Sequence, residues 1–460
     1  MFLFPLIYIS SFLLSIREFL RGNKESILLF LIFGLSIYTS ATSVANILGF
    51  KESVLILQLF KEIGIISLLS WILYNYNGRL RLHLIDYALI SFFAYTLLYA
   101  LLPIGNLNVI NRIISLKSSS FFVLVYFTGR LLNPKEIFLS KYFLYLMILA
   151  IAAAIVVLFE VFTNQHLQTF TGYTEFNSYF YNIKPSGQYG LSWTFESEGE
   201  FKRFASFFSN PLEHAAATLI SLAILAAFYT NEQYRLKLDT FGVVTLVATL
   251  ISIIYAVSRS SFVSYFILIY AYGWITRQKY ITKIIHLGIL VILGYVLYLL
   301  IPNGNDDYVG VQEIIVRTLN FTNTSSVAHL FEWIQGLNAM VQSPLGLGIG
   351  TSGRVAGSLG ENIGGENQFI VVGVQFGIIA LFIYLLIYAS ILKTCLQWYY
   401  RLEGNEKKMC LALFLIKIAF LIPSFTSELE NSVYISYLTW FMTGIFVNMV
   451  SLKNFEKKDA

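Results

Sequence analysis

The sequence predicts an all-α protein that crosses a membrane about thirteen times, a polytopic bundle of about 12–14 transmembrane helices. Three observations carry that prediction. Of 460 residues, 57% are hydrophobic and 12% charged, against about 25% charged in soluble domains. Apolar runs of roughly 17–25 residues, the length that spans hydrocarbon, recur along the chain. Two long polar segments, 163–210 and 302–367, interrupt the series.

The candidate spans are 2–16, 27–49, 54–75, 85–103, 109–129, 142–162, 212–229, 241–257, 261–276, 284–301, 369–392, 409–424 and 433–451. Residues 2–16 lack a basic leader and a small-residue cleavage site, so they read as a first span rather than a signal peptide. Lys and Arg alternate in density between successive connections. Twenty lie on one side, from Arg17, Arg21 and Lys24 to Lys453, Lys457 and Lys458. Seven lie on the other: Lys51, Lys184, Lys202, Arg203, Arg259, Arg317 and Arg354. By the positive-inside rule the N-terminus is outside, the C-terminus is cytoplasmic, and both long segments face outward. The chain divides into amino-terminal spans (1–162), a first loop (163–210), further spans (211–301), a second loop (302–367) and carboxy-terminal spans (368–460).

Several functions are disfavoured at once. The net charge of +5 reflects loop topology and is no nucleic-acid signature. Cys395 and Cys410 suggest neither a disulfide nor a metal site, and five scattered histidines show no ligand spacing. No nucleotide-binding motif is present; the run Gly346-Leu-Gly-Ile-Gly-Thr-Ser-Gly353 lacks the P-loop pattern. No metal and no cofactor is expected.

The second loop holds the centre of interest. Val327, Leu330, Phe331, Ile334, Leu337, Met340 and Val341 recur at helical spacing and predict an amphipathic helix on the membrane face, with Ser325 or Ser326 as its cap. The glycines that follow predict close backbone approach. The first loop is rich in aromatics, which fit either headgroup-depth anchors or stacking surfaces for sugar rings.

Charges at membrane depth are functional suspects or interhelical partners: Lys61 and Glu62 in the third span, Lys117 in the fifth and Lys417 in the twelfth. Lys61 and Glu62 point about 100° apart on a helix, so each is expected to pair with another helix rather than with its neighbour. Arg203, Arg259, Arg317 and Arg354 lie on the face where arginine is disfavoured; guanidinium forks there fit an anionic ligand. Carboxylates able to deprotonate a hydroxyl are Glu366, Glu361, Glu196, Glu198, Glu200 and Glu213, with His214 and His329 as further candidates.

Several motifs stand in order relative to the spans: Arg203-Phe-Ala-Ser-Phe-Phe-Ser-Asn210-Pro211, Ser258-Arg259-Ser260, and Trp333 through Ser343-Pro344-Leu-Gly-Leu-Gly-Ile-Gly350. The set continues with Glu366-Asn367-Gln368-Phe369 and Gly373-Val-Gln-Phe-Gly377. In order and spacing these motifs resemble the O-antigen ligase and polymerase superfamily of bacterial envelope polysaccharide assembly, over about residues 200–385.

The resemblance implies a GT-C-like, metal-independent glycosyltransferase in the bacterial inner membrane, acting on undecaprenyl-diphosphate-linked oligosaccharide at the outer face. Its partners would be membrane lipid, a chain-length regulator and a flippase. Arg203, Arg259 and Glu366 would be catalytic. Arg354, Arg317, Asn367, Asn210, Glu196, Glu198, Glu200 and His214 would contact substrate. Ligases of the superfamily carry His-Asn where this chain has Glu366-Asn367. That departure favours a Wzy-type polymerase, whose Arg-x10-Gly spacing Arg354 and Gly365 also match. A ligase and a transporter of lipid-linked glycan are the alternatives.

Overall fold

In a computed structural model, the described residues are 1–76, 80–102, 104–105, 107–197, 201–299, 324–359 and 362–456. They form an almost wholly helical bundle with two isolated β-bridges and no extended strand among them.

The amino-terminal helices are α1 (Leu3–Leu20), the bent pair α2 (Lys24–Gly34 and Tyr38–Ile47, 64° apart), α3 (Lys51–Tyr74), α4 (Leu84–Leu101), α5 (Val109–Arg130) and α6 (Leu139–Thr163). Two short helices, α7 (Leu167–Thr171) and α8 (Tyr173–Tyr181), follow in the first loop. Next come α9 (Pro211–Tyr229), α10 (Thr240–Tyr255), α11 (Arg259–Ile275) and α12 (Lys279–Leu299). The second loop contributes α13 (Thr324–Gln342) and α14 (Gly353–Leu359). The chain closes with α15 (Gln368–Trp398), α16 (Gly404–Phe420), α17 (Pro423–Thr426) and α18 (Val433–Glu456).

Nine of these helices, among the described residues, are long and apolar enough to cross a membrane, or ten with the bent pair. Helices α10, α11 and α12 occupy the positions of the eighth, ninth and tenth predicted spans without being among the nine. Among the described residues each predicted span overlaps a helix, the second as the bent pair α2 and the twelfth as α16 with α17.

The bundle core gathers on α9, α16 and α18, whose apolar windows are 72–83% buried against 22–39% for the first, third, fourth and fifth helices. Close approach depends on small residues, as expected where lipid supplies no hydrophobic drive between helices. Gly129 of α5 and Gly444 of α18 face each other's backbones; a Cβ at Gly444 would stand 2.6 Å from the Arg130 amide nitrogen. At the opposite end from the two loops, buried Arg130 forks onto Asp86 at 3.1–3.3 Å and also reaches Asn448 and Ser451.

Helix α13 lies where periodicity predicts it. Met340 packs with Ile370 and Val374 of α15, while Val327, Leu330, Phe331, Ile334, Leu337 and Val341 are 40–76% exposed. An apolar stripe left outside the protein core matches a helix lying on a membrane surface. The helix begins at Thr324, so Ser325 and Ser326 stand inside its first turn instead of capping it.

The glycine-rich stretch after α13 has a structural task. Helix α15 breaks at Gly377 (φ 80°, ψ −179°), a conformation open only to glycine. The freed backbone groups are taken up by residues 344–348. Leu347 N–H donates to Val374 O at 2.8 Å, Gly348 N–H to Gln375 O at 3.1 Å, and Ile378 N–H to Pro344 O at 2.9 Å. Irregular backbone at membrane depth survives only when its polar groups are satisfied this way. A Cβ at Gly346 would stand 2.6 Å from Gln375 O, and one at Gly348 2.6 Å from Ile104 O, so the glycines permit the insertion.

Candidate active site

The second loop is drawn onto the bundle at the N-terminus of α14. Gly353 N–H donates to Asn362 Oδ1 at 2.8 Å, and Arg354 N–H donates to Glu428 Oε1 at 2.6 Å. Glu428 stands in the short connection between α17 and α18, where Asn431 also donates to its other oxygen. Gly353 has φ +85°, and a Cβ there would meet the Glu428 carboxylate at 2.5 Å. The approach of this loop to this carboxylate therefore needs glycine.

Arg354 is solvent-accessible yet enclosed by protein on most sides. Burial opposes its charge, but Tyr173, Glu366, Tyr181 and Glu428 outweigh burial and hold the guanidinium firmly protonated. Glu366, also solvent-accessible, is raised above the usual carboxylate range by desolvation; Arg354 and His329 pull it down and Glu332 pushes it up. Glu428 is pushed up to about 8, first by burial and then by Glu366, against the Arg354 N–H and guanidinium. One arginine is thus electrostatically coupled to two carboxylates that disfavour simultaneous ionisation, an arrangement suited to taking up and returning a proton.

Other elements close around this centre. Glu213, in the first turn of α9, accepts from Ser209 and lies within electrostatic reach of Arg354. Tyr173 and Tyr181, at the two ends of α8, bring the first loop to Arg354. A narrow polar cavity beside Glu428 is lined by Ser115, Ser118, Gln368, Gln375, Glu430 and Asn431, among others.

The remaining sequence-derived candidates fall in different places. Backbone bonds tie the segment of Arg203 to the end of α10, shortly before Arg259. Arg203 N–H donates to Phe195 O, and the next residue, Phe204, donates to Tyr255 O at 3.0 Å, just before Arg259. Arg259 is exposed at the start of α11, where Ser260 bonds Thr426 at 3.1 Å, two residues from Glu428. Asn210 caps α9, accepting from Leu212 and Glu213 at 3.0 Å, and Asn367 caps α15, accepting from Phe369 and Ile370 at 3.0–3.2 Å. His214 is fully buried, bonded to Phe204 O at 3.1 Å and stacked on Phe208. Glu196 accepts from Gln188 N–H within the first loop. Arg317, Glu198, Glu200 and Glu361 lie outside the described residues.

The first-loop aromatics divide. Tyr173, Phe176 and Phe195 are buried, with Tyr173 and Phe195 in a small core of the loop itself; Tyr179, Trp193 and Phe201 are 60–70% exposed. In the third span Glu62 reaches Lys117 of α5 at 3.0 Å as an interhelical partner, but it also contacts Lys61 at 3.3 Å, contrary to the expectation for adjacent residues. Lys61 is long enough to curl back along its own helix. Sequence reasoning missed Glu428 altogether. Its signal was two carboxylates, Glu428 and Glu430, in a connection only a few residues long on the loop side of the bundle.

Residues 244–385 match the O-antigen ligase family model. No curated protein matches the chain. Arg259, Arg354, Glu366 and the break of α15 at Gly377 all lie within the matched segment, whereas Arg203, Glu213 and Glu428 lie outside it. The motif resemblance and the family match converge on one segment, so residues 244–385 are similar to the O-antigen ligase family.

Proposed function

We propose that the protein is a polysaccharide polymerase, transferring an undecaprenyl-diphosphate-linked glycan onto a second lipid-linked repeat unit at the outer face of the bacterial inner membrane. The observation that carries this reading is Arg354, its amide bonded to Glu428 and its guanidinium within electrostatic reach of both Glu366 and Glu428, on the loop side of a membrane bundle. In the reaction an acceptor hydroxyl oxygen attacks the anomeric carbon of the donor. The bond from that carbon to the diphosphate oxygen breaks, and the electron pair leaves with the diphosphate. Arg354, aided by Arg203 and Arg259, stabilises the charge developing on the leaving group. Glu366 takes the hydroxyl proton. The orientation proposed has the N-terminus outside and the C-terminus cytoplasmic, from the distribution of Lys and Arg.

A ligase moving finished glycan to another acceptor is the second reading, favoured by the description of the matching family. The envelope glycan of a strain lacking the protein separates them. A polymerase predicts a single repeat unit on the acceptor and no ladder; complementation with Arg354→Ala at normal expression leaves that profile unchanged. An intact ladder stranded on undecaprenyl diphosphate would establish a ligase. A normal ladder from the Arg354→Ala strain would overturn the site.

A further inference from the structure

A second cationic centre lies beside the first. Lys61 is ten residues into α3 and Lys117 eight into α5, so each sits roughly 12–15 Å below the loop-side start of its helix. Both reach the same oxygen of Glu62, at 3.3 and 3.0 Å, and the other Glu62 oxygen is buried without a hydrogen bond. Lys61 and Glu62 are enclosed, with side chains 7–8% exposed, whereas the Lys117 side chain is 49% exposed. Two ammonium groups on one carboxylate leave an excess positive charge, and intramembrane ionisable residues of this kind mark ligand or ion sites as well as helix pairs.

The centre adjoins the Arg354 site. Lys61 donates to Tyr38 Oη at 3.1 Å, and Tyr181 lies within electrostatic reach of Tyr38, Lys61 and Arg354. On α5, Ser118, next to Lys117, donates to Asn431 Oδ1 at 2.5 Å, and Asn431 holds Glu428. Helix α5 thus turns one face to the Arg354 centre and another to Glu62. We infer that Lys61 and Lys117 form a second anion subsite, open towards the bilayer, for the diphosphate of the acceptor lipid, while Arg354 serves that of the donor. The inference rests on the polymerase reading, which requires two lipid diphosphates at once. Glu62 holds the lysines apart from lipid until a diphosphate competes for them.

Full-length protein in phosphatidylcholine nanodiscs, titrated with undecaprenyl diphosphate and counted by native mass spectrometry, tests this. Wild type is expected to bind two lipids. Lys117→Gln and Arg354→Gln are each expected to retain one, and Lys117→Arg two. Glu62→Gln, which keeps the shape but removes the competing charge, is expected to tighten one of the two binding events several-fold; a merely structural pair would give no such gain. A single lipid on wild type, two on Lys117→Gln, or a Glu62→Gln variant with unchanged or weaker binding overturns the inference. Equal occupancy of the Lys117 site by phosphatidylglycerol also overturns it, as an ordinary headgroup contact. Loss of one lipid in Lys117→Gln with none lost in Arg354→Gln supports the lysine site and overturns the role given to Arg354. If Lys117→Gln fails to fold, Glu62→Gln decides.

Discussion

Glu428 joins two tasks in one side chain. Its oxygens hold the Arg354 amide and Asn431, and its proton affinity is raised to about 8 by burial and by Glu366. A carboxyl whose folded value lies above its unfolded value contributes stability that is fully present below about 4.5 and is lost as pH rises towards about 8. Glu428→Gln removes that titration while its amide oxygen still accepts the Arg354 N–H. The expected outcome is a thermal midpoint that falls less between about pH 5 and about pH 8 than in wild type. Parallel pH profiles for the two proteins would show that Glu428 does not titrate in this window. His166 shows that perturbation alone does not mark a site. Burial, then Lys202, pushes it down to about 4, yet it is packed among Tyr189, Phe195 and Phe204 within the first loop.

At the scale of elements, the decisive feature is the insertion of residues 344–348 into the break of α15. It fixes where the second loop returns to the bundle, and hence where Arg354 and Glu366 emerge. Gly377 adopts a backbone conformation that other residues reach only at about 1–3 kcal/mol or more. A Cβ there would also stand 2.5 Å from the Leu345 carbonyl carbon. Gly377→Ala is therefore expected to lower the thermal midpoint and to abolish elongation at normal membrane insertion, measured by melting and by the glycan ladder together. A full ladder with an unchanged midpoint would show that α15 can close its own hydrogen bonds and that the insertion is dispensable.

For the whole molecule, the contrast is between a tightly packed half and a loosely covered one. Helices α9, α16 and α18 are the buried frame, and α5 is pressed against α18 through Gly129 and Gly444. Overpacking such a contact costs about 1–3 kcal/mol or more. Gly444→Val is expected to loosen the α5–α18 pair along its length, from the Arg130–Asp86 fork to Ser118 and Asn431 beside Glu428. A fall in thermal midpoint together with reduced elongation is the expected result. Wild-type stability in that variant would mean that the two helices have room to separate without cost.

The sequence by itself determined the class of the molecule and the parts of its site that are local. Hydrocarbon-length apolar runs marked where helices form, although the second run is bent into two, and the apolar period of residues 327–341 placed an amphipathic helix whose stripe remains outside the core. The motifs around Arg259, Arg354 and Glu366 pointed to the superfamily because their order along the chain survives folding. What only the tertiary structure decided is which distant groups share one electrostatic environment. Glu428 meets Arg354 across 74 positions of chain, and Tyr181 couples the first loop to both Lys61 and Arg354. His214, polar and next to a helix start, reads as a ligand in sequence but is buried against Phe204 and Phe208. The glycines predicted to allow close backbone approach do so, but what they approach, the break in α15, is visible only in the fold. Periodicity records which face of one helix is apolar; it carries no record of which neighbour supplies the missing hydrogen bond or the opposing charge, because those are set by how the helices pack.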